Sequence, residues 1–258
     1  MTLKPYGAQA RMGVRASRYF GLAELVGGYA LRALRVCFLL LLWQSLFQNG
    51  GDMDGMTLEQ TLKYTLCANA LSPLLDVRTP AGSWLHDGTV AGCYLRPMNV
   101  LGQLAAHALG AAVVPLCVFT PLCMLLGALM GVSLAPQSPW FFASLLLCAS
   151  QGLAVDLLFA CLIIRVGSLS WQVHTLREAL SVMLTGKLIP FAALPWGLGN
   201  ALALSPLGTL AGAPLGLYAG LGAPGSTLPA LIAWNLILWP LCLWCFAKSR
   251  ERMVSFGG

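Results

Sequence analysis

Charged residues are scarce in this sequence. Asp, Glu, Lys and Arg make up only 9% of its 258 residues, whereas soluble globular domains carry about 25%. Apolar residues make up 58%, and the mean hydropathy is +0.76. Because so few charges cannot cover an apolar core in water, a water-soluble domain is excluded and lipid must cover the surface.

The sequence also lacks the motifs of known enzyme classes. It has no phosphate-binding loop, because Gly186-Lys187 lacks the upstream glycine and the following hydroxyl residue. No Ser/His/Asp set, metal-ligand cluster or redox motif stands in a loop. We therefore predict that the chain is not an enzyme, has no catalytic residue, and binds no metal or cofactor itself.

Nine cysteines are present, and all except Cys93 lie inside apolar runs. Their spacing is not that of a disulfide framework, so we interpret them as small packing residues. Cys242 and Cys245 share a helix face, but two thiols without further ligands do not complete a tetrahedral metal site.

Long apolar windows predict the fold. A bilayer core about 30 Å thick needs about 20 apolar helical residues. No small-x-small cleavage site follows the first window, which favours a retained anchor. We predict an all-α integral membrane protein, a single transmembrane domain over 1–258 with six transmembrane helices. The spans are expected at 29–48, 58–76, 101–130, 140–164, 170–190 and 228–247.

Basic residues are distributed unevenly between alternate connections. With six spans and a cytoplasmic N-terminus, eleven of the 15 Lys or Arg lie inside and two, Lys63 and Lys187, lie outside, while Arg32 and Arg35 are left unassigned. Cytoplasmic flanks carry the Lys/Arg excess, so both termini are predicted to be cytoplasmic. Glu59 and Lys63 lie four residues apart, which predicts an ion pair on one helix face near the outer surface.

The stretch 191–222 is apolar enough to resemble a seventh span, but a seventh span would place the basic tail outside. We therefore predict an outer re-entrant hairpin between spans five and six, turning at Ser205-Pro206. Glycines recur at every fourth position and predict a close approach of backbones, unless glycine is simply frequent here and Pro214 interrupts the helix. They are Gly208, Gly212, Gly216 and Gly220.

Two further segments are amphipathic. The loop 78–99, between spans two and three, predicts a short helix along the inner membrane surface, with an ordinary headgroup-level loop as the alternative. The N-terminal stretch 8–26 places Arg11, Arg15 and Arg18 at helical spacing. It predicts an amphipathic elbow helix on anionic headgroups.

Ionisable residues inside predicted spans are functional candidates, because a charge at the bilayer centre is costly. The candidates are Asp156 in span four and His107 in span three. A coupling role for Asp156 would make the protein a self-powered secondary carrier or channel. The structural alternative is an ion pair between Asp156 and Arg165, and a non-transporting membrane scaffold is a further alternative.

Four patterns along the chain carry a resemblance. Trp43-Gln-Ser-Leu-Phe47 stands at the end of span one, and Asp87-Gly88 is followed by Leu95-Arg96-Pro97 in the loop 78–99. Thr185-Gly186-Lys187-Leu188-Ile189-Pro190 precedes Leu194-Pro195, and the tail ends in Ser-Phe-Gly-Gly. Over its whole length the chain resembles the type-2 ATP-binding-cassette (ABC) exporter permeases, in the short six-span branch without an ATPase domain of its own.

The resemblance implies a permease subunit in a bacterial cytoplasmic (inner) membrane that exports an amphiphilic small molecule, peptide or lipid. It implies a second permease subunit, identical or paralogous, and a separate ATPase subunit that binds ATP and Mg. No nucleic-acid partner is expected. Residues of the loop 78–99 would contact the ATPase: Trp84, Leu85, His86, Asp87, Gly88, Leu95, Arg96 and Pro97. The outer gate would include the hairpin glycines together with Gly186, Pro190 and Pro195.

Overall fold

The structure is a computed structural model that describes residues 4–17, 22–50, 56–86, 88–166, 170–194 and 197–255. These residues are helical apart from short connections and contain no β-strand. In chain order the helices are α1 (Lys4–Ala16), α2 (Leu22–Gln48), α3 (Leu58–Ala70), α4 (Ser72–Leu75), α5 (Ala81–His86), α6 (Thr89–Tyr94), α7 (Val100–Leu129), α8 (Trp140–Val166), α9 (Ser170–Leu184), a 3-10 turn (Phe191–Ala193), α10 (Leu198–Ala203), α11 (Gly208–Ala219) and α12 (Pro224–Ser255).

Four of the described helices are long and apolar enough to cross a membrane. They are α2 from Val26, α7, α8 and the part of α12 up to Ser249. Each has at least 23 residues, and at 1.5 Å per residue this exceeds the bilayer core of about 30 Å. The all-α class is confirmed, and the four helices indicate a multi-pass membrane protein.

The two other predicted spans are shorter in the structure. α3 has 13 residues and α9 has 15, so they measure about 20 Å and about 22 Å. The window 58–76 divides at Leu71, because Pro73 in the first turn of α4 cannot continue α3. The window 170–190 stops being helical at Leu184, just before Gly186 adopts a φ of 70°.

Local sequence explains where α3 begins. Thr57 and Gln60 form a capping box, in which the Gln60 amide N–H donates to Thr57 Oγ1 at 3.3 Å and the Thr57 amide N–H donates to Gln60 Oε1 at 2.9 Å. One turn later, the Lys63 ammonium lies 3.0 Å from the Glu59 carboxylate. The predicted ion pair is therefore confirmed.

α8 is the centre of the molecule. It packs against α12, α11, α4, α5 and α9 and is far more buried than the other three long helices. Its residues Cys148, Ala154 and Leu157 belong to the largest apolar cluster of the described residues. The position of each element that packs on α8 can therefore be described by its distance from the two ends of the helix, Trp140 and Val166.

α1 packs lengthwise on α7 through glycines. A Cβ on Gly13 would collide with the His107 carbonyl oxygen, and a Cβ on Gly110 would collide with the Ala10 carbonyl oxygen. The observed helix ends at Ala16, earlier than the predicted stretch 8–26, and Arg18 lies outside the described residues. Arg11 and Arg15 are exposed, as a surface helix requires, while its position on a membrane stays a prediction.

The position of Lys187 bears on the charge count made from the sequence. That count placed Arg78 and Lys187 on opposite membrane sides, whereas the two side chains line one pocket, where Lys187 Nζ donates to Ser72 Oγ at 2.5 Å. α9 ends at Leu184, so Lys187 lies just beyond it and its long side chain reaches the start of α4. The membrane side of Lys187 stays a prediction.

Candidate functional site

The loop 78–99 folds into the two short helices α5 and α6, separated at Gly88. Gly88 has a φ of 69°, a left-handed conformation that glycine adopts without strain. Trp84 on α5 is half-buried and packs edge-on against the ring of His107, with 5.0 Å between ring centroids. The loop is thus held against α7. The side chains of Leu85 and His86 and the whole of Asp87 lie outside the described residues.

The end of this loop presents an apolar side chain to its surroundings. Leu95 is 89% exposed, which is unusual for a leucine flanked by polar backbone turns. Next to it, Arg96 Nη1 donates to Gln9 Oε1 on α1 at 3.0 Å, and Pro97 is exposed. α1 therefore fixes Arg96 while Leu95 remains open to contact.

A cluster of charges joins this loop to α8 and α9. Asp156 on α8 accepts from the backbone N–H of Thr79 at 2.7 Å and from Thr79 Oγ1 at 2.5 Å. Arg177 on α9 lies 3.0 Å from Asp156 Oδ1 and 3.2 Å from Asp76 Oδ1. The Arg177 guanidinium also donates to the carbonyl of Val77 at 2.9 Å. One arginine thus bridges three segments.

The partner of Asp156 corrects the sequence analysis, which considered Arg165. Arg165 lies nine residues further along the same helix, whereas Arg177 reaches Asp156 from the neighbouring α9. The side chains of Asp156, Arg177 and Asp76 are 9%, 12% and 14% exposed. In the sequence, only the more polar character of the window 170–190 indicated such a contact.

The stretch 191–222 forms a helical hairpin that reverses direction halfway along α8. Gln151 Nε2 donates to the Pro206 carbonyl at 2.6 Å and to Thr209 Oγ1 at 2.9 Å. At the far limb, the Gln137 N–H donates to the Tyr218 carbonyl at 3.1 Å, beside the Trp140 end of α8. At 1.5 Å per residue, the turn at Ser205-Pro206 therefore lies about 16 Å deep from Trp140.

Glycines let the two limbs of the hairpin touch. A Cβ on Gly208 would collide with the Leu202 carbonyl, and one on Gly212 would lie 2.5 Å from the Phe191 ring. Gly216 has ordinary contacts at 3.7 Å, and Gly220 ends α11 with a φ of 77°. Pro214 lies inside α11 without interrupting it.

The segment before the hairpin is anchored on α3. Tyr64 Oη donates to the Gly186 carbonyl at 2.7 Å, and Pro190 precedes the 3-10 turn at Phe191. A cavity of about 390 Å³ lies between this segment and the two hairpin limbs, with Tyr64, Phe191 and Gly212 among its walls. Pro195 lies outside the described residues.

His107 and the cysteines do not assemble into a reactive site. His107 Nδ1 is buried and has no hydrogen-bond partner among the described residues. Cys242 is buried and its neighbour Cys245 is partly buried. Burial raises the pKa of the Cys93 thiol in the loop 78–99, so that thiol stays protonated at neutral pH. Across the described ranges, no group of three or more His, Cys, Asp or Glu is arranged to hold a metal ion.

The loop 78–99 and the hairpin therefore pack on different parts of α8. The loop is bound to α8 through Asp156, toward the Val166 end, and the hairpin is bound at Gln151 and lies beside the Trp140 end. Neither protein-family models nor curated proteins give a match to this chain. Its function is therefore inferred from this geometry and from the motifs of the sequence.

Proposed function

We propose that this chain is the membrane-spanning permease subunit of an ABC exporter, driven by ATP hydrolysis on a separate ATPase subunit. Two such subunits, identical or paralogous, would enclose the path in a bacterial inner membrane. In this proposal α3 and α9, extended by the chain that follows each of them, complete six crossings, and both termini face the cytoplasm. The cargo is an amphiphilic small molecule, peptide or lipid.

One observation carries the proposal: the loop and the hairpin occupy opposite ends of α8. The loop packs toward the Val166 end, where Gly82 lies within contact distance of Ile163 on α8 and of His174 on α9. The hairpin enters from the Trp140 end and turns at Gln151. An exporter needs a cytoplasmic contact for its motor and an outer element that closes the exit, and these two elements suit those tasks.

The charge cluster supplies a mechanical connection between the loop and two helices. Thr79 stands two residues before α5, and it is bound to Asp156, which is bound to Arg177. A movement of the loop imposed by ATPase closure would therefore be transmitted to α8 and α9 together, as rigid-body switching requires. ATP and Mg would bind the partner subunit, because this chain has no phosphate loop.

The exposed Leu95 gives a sharp test. The tagged full-length chain, purified from its native membrane in mild detergent, should retain a subunit that carries a phosphate loop and the signature Leu-Ser-Gly-Gly-Gln. Leu95→Ala should weaken this association roughly tenfold, because burying a leucine in an interface is worth about 1.5–3 kcal/mol. ATPase turnover of the purified complex should fall with it.

Leu129→Ala is the matched control. Leu129 is also a highly exposed leucine, but it lies at the opposite end of α7 from the loop. Its replacement should leave the ATPase association unchanged. The proposal is overturned if no such ATPase accompanies the chain, or if Leu95→Ala and Leu129→Ala behave alike.

The two rival functions make different predictions. A self-powered carrier would use Asp156 for coupling, so Asp156→Asn would abolish transport while leaving the turnover of any associated ATPase intact. Both oxygens of Asp156 are occupied by Thr79 and Arg177, which favours a positioning role in which transport and ATPase turnover fall together. A scaffold would move no cargo at all in reconstituted vesicles.

A further inference from the structure

A cleft between α2 and α9 has more cations than anions in its lining. Its volume is about 170 Å³, more than ten times the roughly 15 Å³ that one water needs. Arg32 and Arg35 from α2 face Lys187 across it, and the hydroxyl groups of Ser72 and Ser181 belong to its walls. The charged lining residues are four cations, Arg32, Arg35, Arg78 and Lys187, and two carboxylates, Asp76 and Glu178.

Half of this positive charge is not neutralised within the described part of the chain. The two carboxylates are engaged by Arg78 and, from outside the cleft, by Arg177. Arg32 lies over the Phe119 ring at 5.2 Å, and Lys187 donates to Ser72. Among the described residues, no carboxylate lies within ion-pair distance of Arg32, Arg35 or Lys187. Four cations against two anions leave an excess of two positive charges.

An excess of this kind is costly inside a membrane protein unless something neutralises it. Arg32 and Arg35 lie within the span that begins at Val26, so water cannot solvate them as freely as it solvates a surface loop. The Lys ammonium has three hydrogen-bond donors. The Arg guanidinium has five, arranged in a planar fork that fits phosphate or carboxylate oxygens. A ligand group with two negative charges neutralises the excess positive charge of the cleft, whereas a single carboxylate neutralises only half of that excess.

A second cavity adjoins the cleft and is apolar on one side. It measures about 320 Å³ and shares five residues with the cleft, three cations, one hydroxyl and one carboxylate: Arg32, Arg78, Lys187, Ser72 and Asp76. Its remaining wall is formed mainly by Ala108, Ala111, Ala112 and Pro115 of α7. A ligand whose charged group sits among the cations can therefore extend along an uncharged surface.

We propose that the Arg32, Arg35 and Lys187 cleft binds a phosphate group, with the apolar part of the same ligand along α7. That this ligand is the exported cargo rests on the function proposed above, but the binding itself does not. Lys187, Arg32 and Arg35 are binding residues in this proposal, and Ser72 positions the Lys187 ammonium.

The test measures binding in the absence of any ATPase. The full chain in a nonionic detergent is titrated with dioleoyl phosphatidic acid and, separately, with uncharged dioleoylglycerol, and bound lipid is counted by native mass spectrometry. The phosphate-bearing lipid should bind at least tenfold more tightly. Arg35→Gln and Lys187→Gln should each weaken its binding about tenfold, the effect of one lost charge-assisted hydrogen bond.

Matched variants distinguish binding in the cleft from nonspecific attraction of the lipid to positive charge elsewhere on the protein. Arg165→Gln and Lys248→Gln each remove an exposed cation elsewhere, at the end of α8 and on α12, and should bind the phosphate lipid like the unaltered chain. Arg35→Lys keeps the charge and should bind within about threefold of it. Equal melting temperatures in detergent establish that each variant is folded. If Lys187→Gln does not fold, the comparison of Arg35→Gln with Arg35→Lys tests the proposal.

A third titration identifies the source of the phosphate. Glycerol 3-phosphate carries the same group without acyl chains. Binding of the lipid alone supports a lipid headgroup, and comparable binding of glycerol 3-phosphate supports a soluble phosphate compound. The proposal is overturned if both lipids bind equally, or if Arg35→Gln and Lys187→Gln bind phosphatidic acid as tightly as the two control variants do. Loss of the ATPase association would contradict the exporter function and leave this result standing.

Discussion

The hairpin 191–222 and the Asp156 cluster hold non-helical backbone in the interior by opposite means. The hairpin contains no charged residue, and its limbs are held by glycine contacts and by the amide of Gln151. The cluster uses two carboxylates and an arginine to hold the segment 76–79 against α8 and α9. Both satisfy backbone groups that lipid cannot satisfy.

The two regions differ in the amino-acid substitutions that they tolerate. Steric packing depends on the absence of a Cβ at the close contacts, so it fails when an atom is added at Gly208 or Gly212. The ion-pair cluster depends on balanced charge, so it fails when one partner is removed. Substitutions of matched size therefore have different consequences in the two regions, and four of them test the comparison.

The largest expected effect is that of Arg177→Met, which removes the shared partner of Asp76 and Asp156. Leaving buried carboxylates without their cation typically costs about 3–5 kcal/mol. The free energy of unfolding, from denaturant titration in detergent, should fall by about that amount. Arg177→Lys, which keeps the charge, should recover part of the loss. Wild-type stability of Arg177→Met would mean that the cluster does not hold the loop.

Gly208→Ala tests the hairpin. Its Cβ would meet the Leu202 carbonyl, which is backbone and cannot rotate away, so we expect a loss near the upper end of overpacking effects, about 3 kcal/mol. Gly216→Ala on the same helix meets only ordinary contacts and should be neutral or stabilising by up to about 1 kcal/mol. Equal effects at the two glycines would contradict the limb-to-limb packing.

Gln151→Leu tests a side-chain hydrogen bond at the hairpin turn. It removes the shorter of two bonds to the Pro206 carbonyl and leaves the one from Thr209 Oγ1 at 3.3 Å, so we expect a loss of about 1 kcal/mol. Gln172→Leu is the matched control, because Gln172 is exposed on α9 and should change stability by less than about 0.5 kcal/mol. Proteolysis between 191 and 222 should accelerate in Gln151→Leu and not in Gln172→Leu. Unchanged cleavage would show that Gln151 does not hold the hairpin turn.

The smallest effect belongs to Glu178→Gln. The Arg78–Glu178 pair is 3.3 Å long with side chains 51% and 64% exposed, and exposed pairs contribute about 0.5 kcal/mol, less at high salt. The unfolding free energy measured at low and high salt should therefore differ little between Glu178→Gln and the unaltered chain. A loss as large as that of Arg177→Met would show that the whole cluster is coupled.

Three features were predicted correctly from the sequence: the helical class, the reversal of the chain at Ser205-Pro206 and the Glu59–Lys63 ion pair. These depend on local pattern: apolar runs, the residue before proline and a spacing of four. Sequence reasoning did not predict the partner of Asp156, because Arg177 is 21 residues away in sequence and only helix packing brings it close. It also overestimated the lengths of α3 and α9, since hydropathy does not register where a helix stops.

By itself the sequence determined that this protein is helical and belongs in lipid, because too few charges exist to cover an apolar core and because long apolar runs can satisfy their backbone only as helices. Tertiary structure alone decided which polar groups meet. The neighbours of Asp156, the depth of the hairpin turn and the gathering of Arg32, Arg35 and Lys187 depend on the packing of separate helices, and no local pattern encodes the distance between residues on different helices.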